Sequence, residues 1–215
     1  MFVLTADQVG SRHDRDRVPD VLRALDDIAR DLVFPIERYA GDEIQVVARD
    51  ASTALTVVER LTRGEHWRVG LGVGAATTPL PATASEATGD AFVRAREAVD
   101  AARRRVTRFA LVGPPLDAEP DAQADPTAEQ VEALVDLQLS LRSRRTPEGW
   151  EVSDLLAAGR SQREIAELLG VTPQAVSLRL KASGWRLEER ARPALVLLLD
   201  GLDRGNRDQE GALDS

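Results

Sequence analysis

Residues 113–126 of this 215-residue chain read GPPLDAEPDAQADP, with four prolines, four acids and almost no large apolar side chain. Proline fixes its own φ and removes a backbone donor, so no regular helix or central strand passes through such a segment. It has the composition of an extended linker. It predicts a first domain at 1–112, a linker at 113–126, a second domain at 127–202 and a disordered tail at 203–215. Either domain is long enough to bury a core of its own.

Before the linker, runs with strand character occur at 2–5, 34–39, 44–48, 67–75 and 109–112. Between them apolar residues recur at three and four, first at Val18, Val21, Leu22, Leu25, Ile28, Ala29 and Leu32, then at Ala54, Val57, Val58 and Leu61, and then at Ala91, Ala95, Ala98, Val99 and Ala102. That is helical spacing. The order is β-α-β-β-α-β-α-β, and a hairpin turn at 40–43 makes it an α/β domain of the α+β, ferredoxin-like kind with one extra helix and strand. No repeat of 20–50 residues is visible.

Everything after the linker reads as helix. The segment 127–144 opens with a Thr-x-x-Gln variant of the capping box, 152–158 ends at Gly159, and Ser161 precedes the next helix with Glu164 three residues later. From 161 onward, SQREIAELLGVTPQAVSLRLKASGW has the pattern of a helix-turn-helix. Ile165, Ala166, Leu168 and Leu169 supply one apolar face, Gly170 suits a left-handed turn residue, Val171 plugs the angle, and Thr172 caps a helix opened by Pro173. In that second helix Val176 and Leu180 face inward. Ser161, Gln162 and Thr172 at the two helix starts, with Gln174, Ser177, Arg179 and Lys181 on or near the outer face, form the expected DNA-contacting set. A plain helical hairpin in a bundle is the alternative, but it needs neither a polar outer face nor local positive charge. A further helix at 187–202, ALVLLLDGL in its apolar part, is expected to break or kink at Pro193 and either completes the core or pairs two subunits.

Net charge is −8, yet its placement matters more than its sum. Residues 127–193 hold ten basic and ten acidic groups, whereas 160–186 hold five basic against two acidic. The absence of cysteine excludes disulfides and thiolate metal sites. The start MFVLTADQVGSR lacks the features of a secretion signal, and the longest later apolar run, 194–199, is too short to span a bilayer. A cytoplasmic protein with no membrane contact is expected.

In the first domain Asp7 ends the first strand, Gly10 and Ser11 form a loop after it with Arg12, and Gly41-Asp42-Glu43 makes the next hairpin. In a ferredoxin-like sheet the strand and the hairpin are neighbours, so Asp7 and Asp42 can both reach one Mg²⁺, with loop N–H groups cradling nucleotide phosphates. Turn geometry alone is the alternative reason for both aspartates. His13 and His66 have no second ligand spaced to make a metal site, and no nucleophilic triad can be defended.

The segments ADQVGSR, AGDEIQVV, WRVGLGVG and GDAFVRAREA together resemble the SatD family of bacterial proteins over most of 1–112. More remotely they are similar to the palm shared by class III nucleotidyl cyclases and GGDEF diguanylate cyclases. That resemblance implies a cyclase-palm-like fold, Mg²⁺ with a nucleotide on Asp7 and Asp42, and a base- or phosphate-contacting role for Arg38. It also sets Val93 and Glu97 where cyclases keep a catalytic asparagine and arginine. Glutamate cannot stabilise the charge that develops in phosphoryl transfer, so turnover is not expected and no catalytic residue is assigned.

These readings converge on a homodimeric transcriptional regulator that binds double-stranded DNA through the helix-turn-helix and a nucleotide or other ligand through Asp7, Gly10, Ser11, Arg12, Arg38 and Asp42. An active Mg²⁺-dependent nucleotidyl cyclase or transferase, and a ligand-free dimerisation scaffold, are the competing expectations.

Overall fold

Strands buried on both faces must be covered by helices on both sides, and segments 2–8, 43–48 and 67–73 are nearly all buried. The computed structural model describes residues 1–115 and 126–213. Most of the expected linker, 116–125, lies outside the described residues. Five strands, β1 (Phe2–Gln8), β2 (Glu37–Ala40), β3 (Glu43–Ala48), β4 (Trp67–Val73) and β5 (Phe109–Val112), form one mixed sheet in the order β2-β3-β1-β4-β5. β1 is antiparallel to both β3 and β4, β2 is antiparallel to β3, and β5 is parallel to β4. Helices α1 (Val18–Ala24), α2 (Ala51–Thr62) and α3 (Asp90–Ala102) intervene, with a 3-10 helix at Asp26–Asp31. Later come α4 (Ala128–Ser143), α5 (Pro147–Ala157), α6 (Gln162–Leu169), α7 (Pro173–Ser183) and α8 (Trp185–Leu213).

Two compact units emerge: Met1–Asp136 with Leu195–Ser215, and Leu137–Ala194. In the first, Gly70 and Gly72 decide how α3 lies on the sheet. A Cβ at Gly70 would stand 2.1 Å from the Val99 nitrogen, and one at Gly72 would stand 2.2 Å from the Ala91 carbonyl oxygen. Ala91, Ala95, Ala98 and Ala102 are fully buried on the facing side of α3. Small residues on both partners therefore let backbone meet backbone, and strand alternation sends Val69, Leu71 and Val73 to the opposite face. The edge strand β5 is protected by a carboxylate, because the Leu111 N–H donates to Glu132 of α4 at 2.8 Å. Val131 and Val135 of α4 and Leu195, Leu199 and Leu202 of α8 are buried in this unit as well.

Several boundaries differ from the sequence expectation. β2 begins at Glu37 rather than at 34, since Pro35 cannot donate to a ladder, and Phe34 is spent in the core with Val3 and Val47. The helical pattern at 18–32 splits into α1 and the 3-10 turn. The units divide inside α4 and inside α8 rather than at 127 and 202. An amphipathic period says that a helix has an apolar face and not which core receives it. α8 also runs through Pro193 and on to Leu213, into the stretch expected as a disordered tail.

Candidate functional site

In the second unit local rules set the two helices α6 and α7 and the turn that joins them. Ser161 and Glu164 form a complete capping box, Glu164 accepting from the Ser161 N–H at 2.8 Å while the Glu164 N–H donates to the Ser161 hydroxyl at 3.3 Å. Gly170 ends α6 in the left-handed region at φ 64° and ψ 32°. Thr172 caps α7 by accepting from the Ala175 N–H at 3.2 Å. Beneath, Val152 of α5, Ile165 and Ala166 of α6, and Val176 and Leu180 of α7 make the core, with Val171 and Trp185 packed against it. That three-helix core holds α7 by one face only. Gln174, Ser177 and Lys181 are exposed on the other, beside Leu178, which is 68% exposed.

The seven residues expected at DNA thus take different places. Gln174, Ser177 and Lys181 share the outer face of α7. Ser161 and Thr172 are exposed but their hydroxyls cap their own helices, and Gln162 is half-buried. Arg179 turns aside: its guanidinium lies 3.7 Å from Glu151 on α5 and is 30% exposed. Lys181, Arg186 and Arg190 line a groove of about 560 Å³ together with Ser177 and Leu187. Leu178, Arg186 and Arg190 are missed by sequence reasoning; placing Leu178 on the face of Gln174 needs only the i, i+4 rule.

Under this surface lies a buried ionic network. Arg145 donates through Nε to the Ser183 carbonyl at 2.9 Å and pairs with Glu188 at 2.5 Å; Arg142 pairs with the other oxygen of Glu188. Both guanidiniums stack on Trp150, at 4.9 Å for Arg142 and 4.4 Å for Arg145. One carboxylate thereby holds the ends of α4, α7 and the start of α8 in register.

In the first unit the cross-strand partner of Asp7 is Glu43, not Asp42. The Asp7 carboxylate is 3.0 Å from Arg68 and 3.7 Å from Arg103. Asp42 sits in the turn, its carbonyl accepting from the Gln8 N–H at 3.3 Å. A Mg²⁺ on Asp7 would have to displace two guanidiniums, and among the described residues no group of three or more His, Cys, Asp or Glu side chains can hold a metal ion. The donor set as arranged does not fit the cation.

The loop after β1 folds on itself. Gly10, at φ 67°, accepts from the N–H groups of His13 and Asp14 at 2.8 and 3.1 Å. Gln8, 2% exposed, donates to the Arg15 carbonyl at 2.7 Å and accepts from the Arg17 N–H at 3.0 Å. Ser11 is half-buried and Arg12 exposed. Arg38 pairs with Asp16, holding that carboxyl below its ordinary value, and donates to the Gly41 carbonyl, so it ties hairpin to loop.

No protein-family model, curated protein or solved structure matches the chain.

A cleft of about 330 Å³ opens between the β2–β3 hairpin and α3. Tyr39, Gln45, Phe92, Val93, Arg96 and Glu97 line it. The Arg96 guanidinium lies 5.0 Å from the Tyr39 ring centre and 3.7 Å from Glu43. Burial pushes the Glu43 carboxyl above its ordinary value of 4.5; Arg96 pulls it down, while Asp7 and Asp42 push it up. Gln45 is 4% exposed, and its Oε1 and one oxygen of Glu43 have no hydrogen-bond partner among the described residues. Buried acceptors of this kind are satisfied by water or by a ligand's donors.

Proposed function

We propose that this chain is a cytoplasmic, homodimeric transcriptional regulator that binds double-stranded DNA through α6 and α7. The single observation behind this reading is the two-sided character of α7. Val176 and Leu180 are fully buried while Gln174, Ser177 and Lys181 stand exposed on the far side. A helix packed inside a bundle has no use for that outer face. Residues 137–194 add ten basic against seven acidic side chains, a local excess that suits a phosphate backbone.

Within the same proposal the first unit has the ferredoxin-like, cyclase-palm-like fold of the SatD family and senses a nucleotide or similar small ligand. The split β-α-β connections and the antiparallel neighbours of β1 support that fold. The cleft with its unpartnered Gln45 oxygen supports a ligand seat there rather than between Asp7 and Asp42. Val93 and Glu97 on its wall favour binding over turnover.

Lys181 is the one lysine of the chain, which makes a direct test available. Amine-reactive labelling of the full-length protein should modify Lys181 readily alone and weakly in the presence of duplex DNA. The affinity should fall with salt, and Lys181→Ala should flatten that dependence by about one unit of slope. Equal labelling with and without duplex, together with no binding at low salt, would remove the DNA-binding reading.

A further inference from the structure

Leu178 sits on the outer face of α7 with 68% of its surface exposed, and neither folding nor phosphate binding accounts for it. Gln174, Ser177 and Lys181 are its polar and cationic neighbours on that face, and the exposed Ala182 lies one turn further on. Residues 174 and 178 are one turn apart on one side of the helix, a rise of about 6 Å, close to two base-pair steps of about 3.4 Å each along a DNA strand. Gln174 stands in the first turn of α7, directly after Pro173, where recognition helices reach base edges. Its amide offers one donor and one acceptor, the complement of adenine N7 and N6 in the major groove. An aliphatic side chain beside it finds its apolar partner there in the thymine methyl group.

The cationic side chains point to the same bases by elimination. Guanine is most often read by arginine, and the one arginine of α7, Arg179, is set against Glu151 instead. Lys181, Arg186 and Arg190 line one groove, a cationic set of the kind that positions a protein on phosphates rather than reading bases.

We infer that α7 reads A·T pairs, Gln174 taking an adenine edge and Leu178 the methyl group of a thymine about two base-pair steps away, with Lys181, Arg186 and Arg190 on the flanking phosphates. The inference rests on the DNA-binding reading and adds the base preference and the two residues that set it.

The test uses the full-length protein to select sites from a random duplex library, followed by chemical editing of the selected site. Replacing the contacted thymine by deoxyuridine removes only the methyl group and should weaken wild-type binding about 4-fold, the transfer value of one such group. The same replacement should cost Leu178→Ala nothing, whereas Leu178→Met should regain methyl dependence. Replacing the contacted adenine by 7-deazaadenine should weaken the wild type about 5-fold and leave Gln174→Ala unchanged. Leu178 is solvent-exposed, so Leu178→Ala should keep its helical signal and melting temperature. Selected sites dominated by G·C pairs, or equal deoxyuridine penalties in wild type and Leu178→Ala, would overturn the inference and leave DNA binding intact. A change of oligomeric state in Leu178→Ala with unaltered base preference would assign Leu178 to a contact between copies and also overturn it. Absence of any salt-dependent duplex binding would remove both readings together.

Discussion

Gln8, Glu188 and Glu43 are single residues whose energetics decide local order. Gln8 closes the loop after β1 with both ends of its amide. Gln8→Leu leaves the Arg17 N–H and the Arg15 carbonyl without it, and should cost about 1–3 kcal/mol in urea denaturation; a loss within about 0.5 kcal/mol would mean that solvent replaces the amide. Glu188 is 5% exposed between two guanidiniums. Glu188→Gln should cost about 3–5 kcal/mol, since the cations stay buried without their counter-charge. Glu167→Gln, which breaks only the exposed pair with Arg163, should cost less than about 1 kcal/mol. A similar loss in both variants would show that the buried network is not what holds the second unit. Glu43 behaves oppositely with pH. Its carboxyl is raised in the fold by burial, so its protonated form is the favoured one: the contribution is complete below the ordinary value of 4.5 and is lost as pH rises through the folded value. Glu43→Gln should match the wild type in melting temperature near pH 4 and exceed it at pH 7. A lower melting temperature at pH 7 would show that the pair with Arg96 outweighs burial.

At the scale of elements, two glycine substitutions separate packing from backbone strain. A Cβ at Gly72 meets the Ala91 carbonyl at 2.2 Å and the Ala95 nitrogen at 2.3 Å, both backbone. Gly72→Ala must push α3 off the sheet, and a loss of at least about 3 kcal/mol is expected. At Gly170 nothing lies within 4 Å and only the φ of +64° resists a side chain; Gly170→Ala should therefore cost about 1–2 kcal/mol. Comparable losses at the two positions in chemical denaturation would contradict the close approach of α3. The caps at Ser161, Gly170 and Thr172 were legible because capping is a matter of residues three apart. The start of β2, the division of the 18–32 pattern and the reach of α8 were not, since each depends on what the segment packs against.

Across the whole molecule the unit boundaries change how charge is read. Counted over 127–193 the basic and acidic residues balance at ten each, but Leu137–Ala194 holds ten basic and seven acidic, leaving 18 basic against 29 acidic in the rest of the chain. The acids Glu129, Glu132 and Asp136 of α4 belong to the first unit. If the first unit senses a ligand, occupancy should change duplex affinity by about 1–3 kcal/mol, and DNA must change ligand affinity by the same factor. Titrating the full chain with nucleoside phosphates, with and without a selected duplex, measures both; identical ligand affinities in the two titrations would leave the domains uncoupled.

Sequence by itself determined what short-range chemistry controls: the β-α-β-β-α-β-α-β order, the caps, the turn between α6 and α7, and the inward place of Val176 and Leu180. Helical and strand periods act over a few residues and need no partner to be read. Only the tertiary structure decided where the charges went. Asp7 meets Arg68, 61 residues along the chain, Arg179 turns to Glu151, and Arg145 is buried on Glu188. A long side chain reaches whichever opposite charge the packing brings near, and that choice is fixed by strand register and helix placement rather than by spacing in the sequence.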